Sequence, residues 1–318
     1  MKNILITGIS GFVGSYLADY FIRHEKEIHI HGFDLVAPHC SPGSDIHFHL
    51  ADLLDKGLAE ELIQQIRPAV IIHLASFSSV GDSWRDPIKS FKNNTNIFLN
   101  LLEITHSLKI PCRILSVGSS EEYGIVKNGD LPLTEDKPLN PVSPYAVARV
   151  AQEQLSHIYA KGFGMDIVCT RSFNHIGPGQ TDKFVVSSIG KQFAEIKKGE
   201  REKLHIGNTA IIRDFLDVRD VVRAYYLLIK KGRGGETYNI CSGQGISVAQ
   251  IIALYAEISG LDPQVETRPE LLRPVENPVV TGSFEKLAAH VGWQPEITLM
   301  NSLRDIYAYW LEHVTSKH

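Results

Sequence analysis

The segment NILITGISGFVGSYLADYF, residues 3–21, decides how the rest of the chain is expected to fold. Residues 3–7 form a short, continuous apolar run, which is typical of a strand buried on both faces of a parallel sheet. Residues 11–24 carry aromatic and aliphatic side chains at helical spacing, which predicts a helix directly after the strand. Glycines between the two allow a tight turn and let backbone N–H groups approach a pyrophosphate at the helix N-terminus. The residues expected to hold a dinucleotide at this turn are Gly8, Gly11, Phe12, Val13 and Gly14.

An acidic residue follows this turn at the distance where such folds bind an adenosine ribose. Asp34 ends the second predicted strand, about 20 residues after Gly14. A carboxylate there would repel a 2′-phosphate, and no arginine follows it directly in DLVAPHC, residues 34–40. We therefore predict that NAD(H) is preferred over NADP(H). Asp52 and Leu53, after the third predicted strand, are candidates to flank the adenine, and Asp52 also fits a helix N-cap.

Strand and helix patterns alternate from the start of the chain to about residue 174. Because parallel strands need long crossovers, these repeated units predict an α/β fold with a doubly wound parallel sheet of the Rossmann type. The strands are predicted within 3–7, 28–34, 46–50, 69–76, 112–120 and 165–173, and the helices near 11–24, 55–66, 87–109 and 144–161. Shorter elements among glycine- and proline-bearing loops then indicate a smaller C-terminal lobe. The dinucleotide-binding domain is expected to comprise residues 1–173 plus 214–241, and the substrate-binding lobe residues 174–213 plus 242–318.

Composition and charge limit the functions open to the chain. Its 318 residues, 43% of them hydrophobic, are enough to bury a sizeable core in one large or two unequal domains. A net charge of −4 gives no basic surface for nucleic acid or for an anionic membrane. The four cysteines form no CxxC pair, which favours reduced thiols over a zinc site or disulfides. The chain also starts with a strand pattern rather than a targeting segment, so a cytoplasmic protein without nucleic-acid or membrane partners is expected.

A serine-bearing strand followed by a tyrosine-bearing helix provides the second chemical signal. The segment SVGSSEEYG, residues 116–124, closes a predicted strand at its carboxyl end, where open parallel sheets bind ligands. Tyr145 opens the next predicted helix and has Arg149, rather than a lysine, one turn later. Of two literal YxxxK matches, 123–127 lies in a predicted loop, and 226–230 ends an apolar helix with no serine-bearing strand before it. Tyr145 and Arg149 are therefore the predicted reactive pair.

The chain resembles the extended short-chain dehydrogenase/reductases through its glycine spacing, the HLAS strand end at 73–76 and the order of serine and tyrosine. Within that family it is most similar to the branch of the GDP-mannose 4,6-dehydratases and GDP-4-keto-6-deoxy-mannose reductases, nearly from end to end. The segments that carry this similarity are SSVGDSW (78–84), VGSSEEYG (117–124), RSFNHIGPGQ (171–180), RDFLDVRD (213–220) and LLRPVENP (271–278). The forms of SSEEYG and FNHIGPGQ favour the reductases.

The resemblance implies roles for individual residues. Ser119 and Tyr145 would bind the C4 oxygen of the sugar, and Tyr145 would pass a proton while hydride moves between C4 and the nicotinamide. Glu121 matches the carboxylate that removes the C5 proton in the dehydratases, but the reductases are similar here, so it does not separate the two activities. The resemblance further implies a cofactor site that includes Leu74, Ala75, Ser76 and Asn94, and a substrate site of Ser79, Asn174, Arg213, Arg273 and Glu276.

In that substrate site the arginines would hold the nucleotide diphosphate, because a guanidinium binds oxyanions bidentately. Asn174 would assist them, Glu276 would lie near the nucleoside and Ser79 would touch the sugar. Arg219, within DVRD, is expected to form a surface ion pair instead. The family resemblance also leaves NADP(H) open as the cofactor.

Arginine at position 149 raises the question of whether the site is active. A lysine there would hold the nicotinamide ribose and place a positive charge beside the Tyr145 phenol, which favours the ionised phenol. Arg149 keeps the charge and has five N–H donors, but it is planar and does not release a proton. We therefore expect Tyr145 to remain the catalytic acid/base and Arg149 its electrostatic partner, with slower chemistry or altered ribose geometry.

Three functions remain open at this point. The first is reduction by NAD(P)H of the C4 keto group of a GDP-4-keto-6-deoxy-hexose. The second is a GDP-mannose 4,6-dehydratase or a nucleotide-sugar epimerase that retains NAD, which Asp34 favours. The third is a non-catalytic cofactor-binding sensor, supported by the missing lysine. The residues do not fix the base of the nucleotide or the stereochemistry at C4.

Two further patterns concern metals and assembly. Four histidines alternate along two strands that are expected to be adjacent, but no Cys, Asp or Glu repeats that spacing, so no metal site is predicted. The predicted helices 87–109 and 144–161 carry more apolar residues than one buried face needs, and the family pairs these helices in a four-helix dimer interface. A homodimer is therefore expected, unless the residues all pack on the sheet. The residues concerned are His29, His31, His47 and His49 in the first pattern, and Ile97, Leu101, Leu155 and Ile158 in the second.

Overall fold

The computed structural model describes residues 2–37, 46–271 and 277–314, and within these ranges a large parallel sheet adjoins a smaller lobe. The strands are β1 (Lys2–Thr7), β2 (Ile28–Asp34), β3 (Ile46–Leu50), β4 (Val70–His73), β5 (Arg113–Ser119), β6 (Asp166–Ser172), β7 (Asn174–Ile176), β8 (Leu204–Ile206), β9 (Ile212–Asp217), β10 (Thr237–Ile240), β11 (Gly245–Ser247), β12 (Val265–Thr267) and β13 (Val279–Val280). The large sheet has the order β10-β6-β5-β4-β1-β2-β3, and its seven strands are parallel. This is the strand order of a Rossmann sheet, which confirms the predicted α/β class.

Helices cover both faces of the large sheet. The α-helices of the described residues, in both lobes, are α1 (Phe12–His24), α2 (Lys56–Ile66), α3 (Val80–Arg85), α4 (Pro87–Phe91), α5 (Ile97–Ser107), α6 (Pro144–Phe163), α7 (Val185–Lys197), α8 (Val218–Lys231), α9 (Val248–Ser259), α10 (Glu285–Val291) and α11 (Leu299–His313). The helices α1, α8 and α10 contribute to the apolar core on one face, whereas α2, α5 and α6 contribute to the core on the other. Along β1, Ile4 and Ile6 enter the first core and Leu5 enters the second, as expected of a strand buried on both faces.

The smaller lobe begins where β6 ends. There β7 follows directly from the carboxyl end of β6, and it forms a second sheet with β9, β11 and β13. The pair β8 and β12 extends this lobe. The helices α7, α9 and α11 surround an apolar core that includes Phe193, Tyr255 and Ile306. The lobe therefore adjoins the carboxyl edge of the large sheet, the edge at which open α/β sheets bind ligands.

The division into residues 1–173 plus 214–241 and residues 174–213 plus 242–318 stays a proposal. Two elements, described next, pack at least partly with the lobe to which this division does not assign them. The strand β9 pairs within the smaller sheet rather than with the large one. The helix α10, followed by Trp293, packs into the core of the large sheet. Both placements depend on contacts between distant parts of the chain, which local hydrophobic periodicity does not encode.

The helix predicted over residues 87–109 contains an interruption. After α4, residues Lys92–Asn96 form a π-helical turn, and α5 continues from it. Such turns shift the residues they contain relative to a regular helix and are frequent at functional sites. Here the turn carries Asn94, which is fully buried and bonds to the loop at Phe77.

The apolar residues named for a dimer interface are placed in two different environments. Ile97 and Leu101 are buried in the core beneath α5, so these two residues do not reach a partner subunit. Leu155 packs against that core but is only partly buried, and Ile158 on α6 is 58% exposed. The prediction is therefore wrong for Ile97 and Leu101, because the face that carries them covers the sheet, and for Leu155 and Ile158 it stays a prediction.

Two further findings concern membrane-spanning helices and the cysteine thiols. No helix in the described ranges combines the length and apolarity that crossing a bilayer requires. The described cysteines, Cys112, Cys169 and Cys241, carry free thiols. Burial raises the pKa of Cys112 and of Cys169 to about 12, so neither is a ready nucleophile.

Candidate active site

The glycine turn between β1 and α1 is too crowded for side chains at two of its positions. Gly8 has a φ of +75°, and a Cβ on it would lie 2.7 Å from the backbone nitrogen of Ala75. A Cβ on Gly14 would lie 2.4 Å from the carbonyl oxygen of Gly8, so glycine here lets the helix pack closely on the turn. Gly11 is the N-cap of α1 and offers no capping side chain. The first N–H groups of α1 are therefore left for an anion, which the helix dipole also favours.

The first turns of α1 also meet the smaller lobe. Phe12 and Val13 are half-buried against the core. The Tyr16 hydroxyl donates to the carbonyl oxygen of Pro178 at 2.9 Å, and a Cβ on Gly177 would lie 3.3 Å from the Phe12 ring. The segment IGPGQ thus packs beside the glycine turn, at the junction of the two lobes.

Asp34 ends β2 and is tied to the glycine turn. Its Oδ2 accepts a hydrogen bond from the backbone N–H of Ser10 at 2.9 Å, and its Oδ1 accepts one from Leu35 at 2.7 Å. Because β1 and β2 are neighbours in the sheet, residues far apart in sequence meet here. The carboxylate is held in a fixed orientation beside the turn.

The two candidate residues after β3 occupy different environments. Leu53 is buried in the core with α2 and α5, whereas Asp52 is exposed and accepts from the backbone N–H of Leu54 at 2.8 Å. The N-cap of α2 is Asp55, so the helix-cap role considered for Asp52 is wrong, because the helix begins later in the chain. Contact of Asp52 and Leu53 with an adenine stays a prediction.

The segment that follows β4 forms a wall beside the glycine turn. The backbone N–H of Ala75 donates to the Thr7 hydroxyl at 3.3 Å, and residues 74–76 are half-buried. Further along, Asn94 accepts from the N–H of Phe77 at 3.0 Å and donates to its carbonyl oxygen at 3.3 Å. Asn94 therefore fixes the loop that leads away from this wall.

Tyr145 and Arg149 lie one turn apart on α6, which is capped by Ser143, and both side chains are buried. The Arg149 Nε donates to the Tyr145 hydroxyl at 3.2 Å, and the guanidinium carbon lies 5.3 Å from the centroid of the tyrosine ring. The Arg149 Nη1 donates to the carbonyl oxygen of Val117 at 3.0 Å and to the Oε1 of Gln152 at 2.6 Å. With 4% exposure, Arg149 is not a surface cation.

Ser119 closes β5 at the carboxyl edge of the sheet, and α6 packs against this strand. Its Oγ accepts from the backbone N–H of Glu121 at 3.2 Å, which fixes the oxygen and leaves the hydroxyl proton to be donated. Glu121 is half-buried in the short 3-10 turn that follows. The structure thus places Ser119 and Tyr145 on packed elements, although a long loop separates them in sequence.

A buried ionic cluster that the sequence did not reveal supports this turn. Glu122 is fully buried, and its Oε1 accepts from the backbone N–H of Ser119 at 2.7 Å. Arg171 donates two hydrogen bonds to Glu153, at 2.9 and 2.7 Å, and His157 lies 3.5 Å from the same carboxylate. Burial, followed by the charge of Glu153, raises the pKa of Glu122 well above its usual range. Although burial opposes it, hydrogen bonds from His157 and Arg171 lower the pKa of Glu153 to about 2.

Two of the three residues predicted to hold a diphosphate lie on paired strands of the smaller sheet. Asn174 is exposed on β7 and donates to the carbonyl oxygen of Asp214 at 3.1 Å. Arg213 lies on β9, the direct partner of β7, and donates to the carbonyl oxygen of Asn277 at 2.8 Å. The structure therefore brings Asn174 and Arg213 to the same sheet, at the lobe junction.

The remaining substrate residues have separate outcomes. Ser79 is the N-cap of α3 and accepts from the N–H of Asp82 at 3.1 Å, and its contact with a sugar stays a prediction. Arg273 and Glu276 lie outside the described residues. Arg219 forms ion pairs with two aspartates, at 2.7 and 2.8 Å, which confirms the predicted ion-pair role.

The four histidines of β2 and β3 lie on one face of these strands. His31 stands opposite His47 in the register, and its Nδ1 lies 3.1 Å from the Nε2 of His49. Burial, together with the neighbouring imidazoles, lowers the pKa of His31 to about 4. In the part of the chain that the structure describes, no group of three or more His, Cys, Asp or Glu side chains is arranged to hold a metal ion.

Comparison with known proteins adds to this geometry. A profile of the GDP-mannose 4,6-dehydratase family matches residues 5–306. The GDP-6-deoxy-D-mannose reductase of Pseudomonas aeruginosa is 35% identical over 315 residues, with 98% of each chain covered. The structure of RMD from Pseudomonas aeruginosa complexed with NADPH superposes with a TM-score of 0.88 at 34% identity, covering 99% of this chain and 100% of the other. The UDP-glucose 4-epimerase of Thermus thermophilus in complex with NAD gives 0.87 at 26% identity, covering 98% and 100%.

The fold and the Ser–Tyr–Arg site define an extended short-chain dehydrogenase/reductase. The chain belongs to the GDP-mannose 4,6-dehydratase family, which confirms the resemblance seen in the sequence. It is an NAD(P)-dependent enzyme with a nucleotide-sugar substrate. The relatives are enzymes, so the alternative of a non-catalytic sensor receives no support from them.

Proposed function

We propose that the protein reduces the C4 keto group of a GDP-4-keto-6-deoxy-hexose with a nicotinamide cofactor. The observation that carries this proposal is the buried Arg149, whose Nε donates to the Tyr145 hydroxyl. A phenol held beside a cation at the carboxyl edge of a parallel sheet suits proton transfer to an oxygen that gains negative charge. The identity of 35% with a GDP-6-deoxy-D-mannose reductase supports reduction as the direction of the reaction.

The residues divide the proton chemistry between them. When bound, a nicotinamide would supply the hydride that C4 gains. Tyr145 gives its phenolic proton to the C4 oxygen, so that the ketone becomes a secondary alcohol. Ser119 donates a second hydrogen bond to that oxygen from a hydroxyl held by the N–H of Glu121. Arg149 stabilises the phenolate that remains, and Tyr145 then regains a proton from water.

We propose NAD(H) as the preferred cofactor. Both carboxylate oxygens of Asp34 accept backbone N–H groups, so the negative charge stays beside the glycine turn, where a 2′-phosphate would meet it. One related structure contains NADPH and another contains NAD, so the fold accommodates both cofactors. The uncapped α1 and the crowding around Gly8 and Gly14 fit a dinucleotide in either case.

For the substrate, we propose a GDP-linked sugar bound across the lobe junction. Asn174 and Arg213 would hold the diphosphate, joined by Arg273, while Glu276 would lie near the nucleoside and Ser79 near the sugar. The pairing of β7 with β9 supports this arrangement, because it places Asn174 and Arg213 on adjacent strands. A guanidinium suits this task because its planar donors match two phosphate oxygens at once.

A GDP-mannose 4,6-dehydratase or an epimerase that retains NAD is the second candidate. Asp34 favours it, since these activities keep NAD bound and return the hydride to their own substrate. Glu121 is half-buried in the turn after Ser119, but the reductases are similar at this position, so it does not separate the two candidates.

We further propose a homodimer in which α4, α5 and α6 meet their symmetry mates. Ile88 and Ile158 are 71% and 58% exposed, so apolar side chains on these helices are available to a partner subunit. Other exposed apolar side chains on α4 and α6 are Phe91, Val147 and Phe163. A monomer mass by light scattering at micromolar concentration would contradict this assembly.

We also propose a cytoplasmic location, which the free thiols support.

Incubation of the purified protein with two substrates separates the candidates. With GDP-4-keto-6-deoxy-mannose and NADH, we expect steady oxidation of NADH and a product that has gained two hydrogens by mass spectrometry. With GDP-mannose and no added cofactor, loss of water would show dehydration, whereas a stereochemical change at constant mass would show epimerisation. If the keto sugar is unchanged while GDP-mannose reacts, the second candidate replaces the first.

A further inference from the structure

A chain of buried hydrogen bonds continues from Arg149 into the interior. Gln152, one turn further along α6, is fully buried, and its Oε1 accepts from the Arg149 Nη1 at 2.6 Å. Its Nε2 donates to the Ser116 hydroxyl at 2.9 Å and to the Val117 carbonyl oxygen at 3.1 Å. Ser156 lies 3.1 Å from Ser116 and donates to the carbonyl oxygen of Gln152 at 2.9 Å.

This network fixes which way the Gln152 amide faces. A carbonyl oxygen only accepts hydrogen bonds, so the amide atom nearest Val117 must be the nitrogen. The amide oxygen is then directed at Arg149, and an oxygen is the acceptor that a guanidinium donor requires. Arg149 contacts three neutral groups: the Tyr145 phenol, the Val117 carbonyl and the Gln152 amide. None of these three groups is a carboxylate that would neutralise its positive charge.

Arginine needs such support more than lysine does. An ammonium has three donors on a flexible stem and can turn to meet its acceptors, whereas a guanidinium is a rigid plane whose donors move together. Two bonds from Nη1 fix that plane, and the fixed plane directs Nε at the Tyr145 hydroxyl. This assignment uses three of the five donors and leaves the pair on Nη2 for a cofactor ribose.

We propose that Gln152 is a positioning residue that adapts this site to arginine. It acts through Arg149 and not on the substrate, and its role rests on the proposed function in one respect, namely that Tyr145 is the acid/base. Without Gln152, the guanidinium can rotate away from the phenol, and both proton transfer and cofactor binding suffer. With lysine at position 149, the same support is not required.

A double-mutant cycle between positions 149 and 152 tests this role. Gln152→Met keeps the length of the side chain and removes its hydrogen bonds. The substitution is introduced both into the natural enzyme and into the Arg149→Lys variant. In the natural enzyme we expect kcat to fall about tenfold, the KM for the sugar to change less than about twofold and the pH profile of kcat to move to higher pH. In Arg149→Lys the same substitution is expected to change kcat less than about threefold. Equal losses in both backgrounds, or no loss in either, would overturn the proposal and leave Gln152 as a structural residue.

Binding of NADH to the same four proteins, followed by fluorescence, gives a readout that needs no turnover. Gln152→Met is expected to weaken NADH binding in the natural enzyme but not in Arg149→Lys. If the natural protein does not reduce the keto sugar, the proposed function fails, whereas this binding pattern still decides the role of Gln152.

Two more variants guard against a simple loss of folding. Ser116→Ala removes one of the acceptors that orient the Gln152 amide, and a kcat loss that occurs only with arginine at position 149 supports the proposal. No kcat loss in either background for both Ser116→Ala and Gln152→Met overturns it. Thr105→Val, which deletes a buried hydrogen bond to Leu101 inside α5, is the matched control and should leave kcat unchanged.

Discussion

Arg149 and Tyr145 contact each other directly, with the guanidinium Nε donating to the phenolic oxygen at 3.2 Å inside a buried part of α6. The contact joins a permanent positive charge to a group that must change its protonation state during catalysis. In a setting with little water, such a charge acts more strongly on its neighbour than it would at the surface. The replacement of lysine by arginine therefore preserves the charge of the site while changing its shape.

Tyr145→Phe tests the role of the phenol. Removing the hydroxyl should lower kcat by about two to four orders of magnitude, the usual contribution of a positioned acid/base, while the dissociation constant of NADH changes little. The measurements are steady-state NADH oxidation and NADH binding. Tyr226→Phe is a matched control from one of the literal YxxxK matches, because the Tyr226 hydroxyl bonds to Glu25 away from the site. Unchanged turnover in Tyr145→Phe would assign the chemistry to another group.

Arg149→Ala tests the partner of the phenol. Both kcat and the affinity for NADH should fall, kcat by about tenfold or more, because the variant loses the charge beside Tyr145 and the donors proposed for the ribose. Arg149→Lys is the matched comparison and should retain or raise activity. If Arg149→Ala leaves turnover and cofactor binding unchanged, the buried contact has no catalytic meaning.

Asp34 leads to a prediction about cofactor choice. Because its carboxylate is fixed by the N–H groups of Ser10 and Leu35, NAD(H) should bind at least about tenfold more tightly than NADP(H) at the same salt concentration. Asp34→Asn keeps an acceptor oxygen but removes the charge, so it should narrow that ratio chiefly by improving NADP(H) binding. Comparable dissociation constants for the two cofactors in the natural protein would contradict the assignment.

The sequence was informative where function depends on local pattern. An apolar run followed by three spaced glycines predicts the first βα unit, because a turn of this kind requires glycine. The position of Asp34 predicts the end of the next strand, which is the neighbour of the first strand in the sheet. Tyr145 and Arg149 were identifiable because both lie on one helix, one turn apart. The placement of β9 in the smaller sheet was not predictable, since it depends on pairing between distant segments.

The burial and pairing of polar side chains could not be predicted from sequence pattern either. Glu122, Glu153 and Arg171 read as ordinary charged residues, and only the fold shows that they meet in the interior. The same holds for Gln152, whose position three residues after Arg149 was visible but whose burial was not. The adjacent glutamates of SSEEYG gave no signal of this burial, since glutamate side chains are mostly exposed.

Glu122→Gln is predicted to change how stability depends on pH. In the folded protein, burial and the charge of Glu153 raise the pKa of the Glu122 carboxyl well above its usual range, so the group keeps its proton to higher pH than it does in the unfolded chain. In the unfolded chain the same group ionises above about pH 4.3. The folded state then binds more protons than the unfolded state, so this group's contribution to stability falls as pH rises from there toward the folded pKa.

Glutamine at position 122 cannot ionise, yet it keeps the geometry. Its amide oxygen can accept from the N–H of Ser119, as the Oε1 of Glu122 does at 2.7 Å. We therefore expect the free energy of unfolding of Glu122→Gln, relative to the natural protein, to increase from weakly acidic to weakly alkaline pH. Urea unfolding at both pH values measures this difference. Glu122→Ala, which leaves the Ser119 N–H without its partner, should lose about 1–3 kcal/mol at either pH. Parallel pH dependences for the glutamine variant and the natural protein would show that Glu122 is already ionised in the folded state.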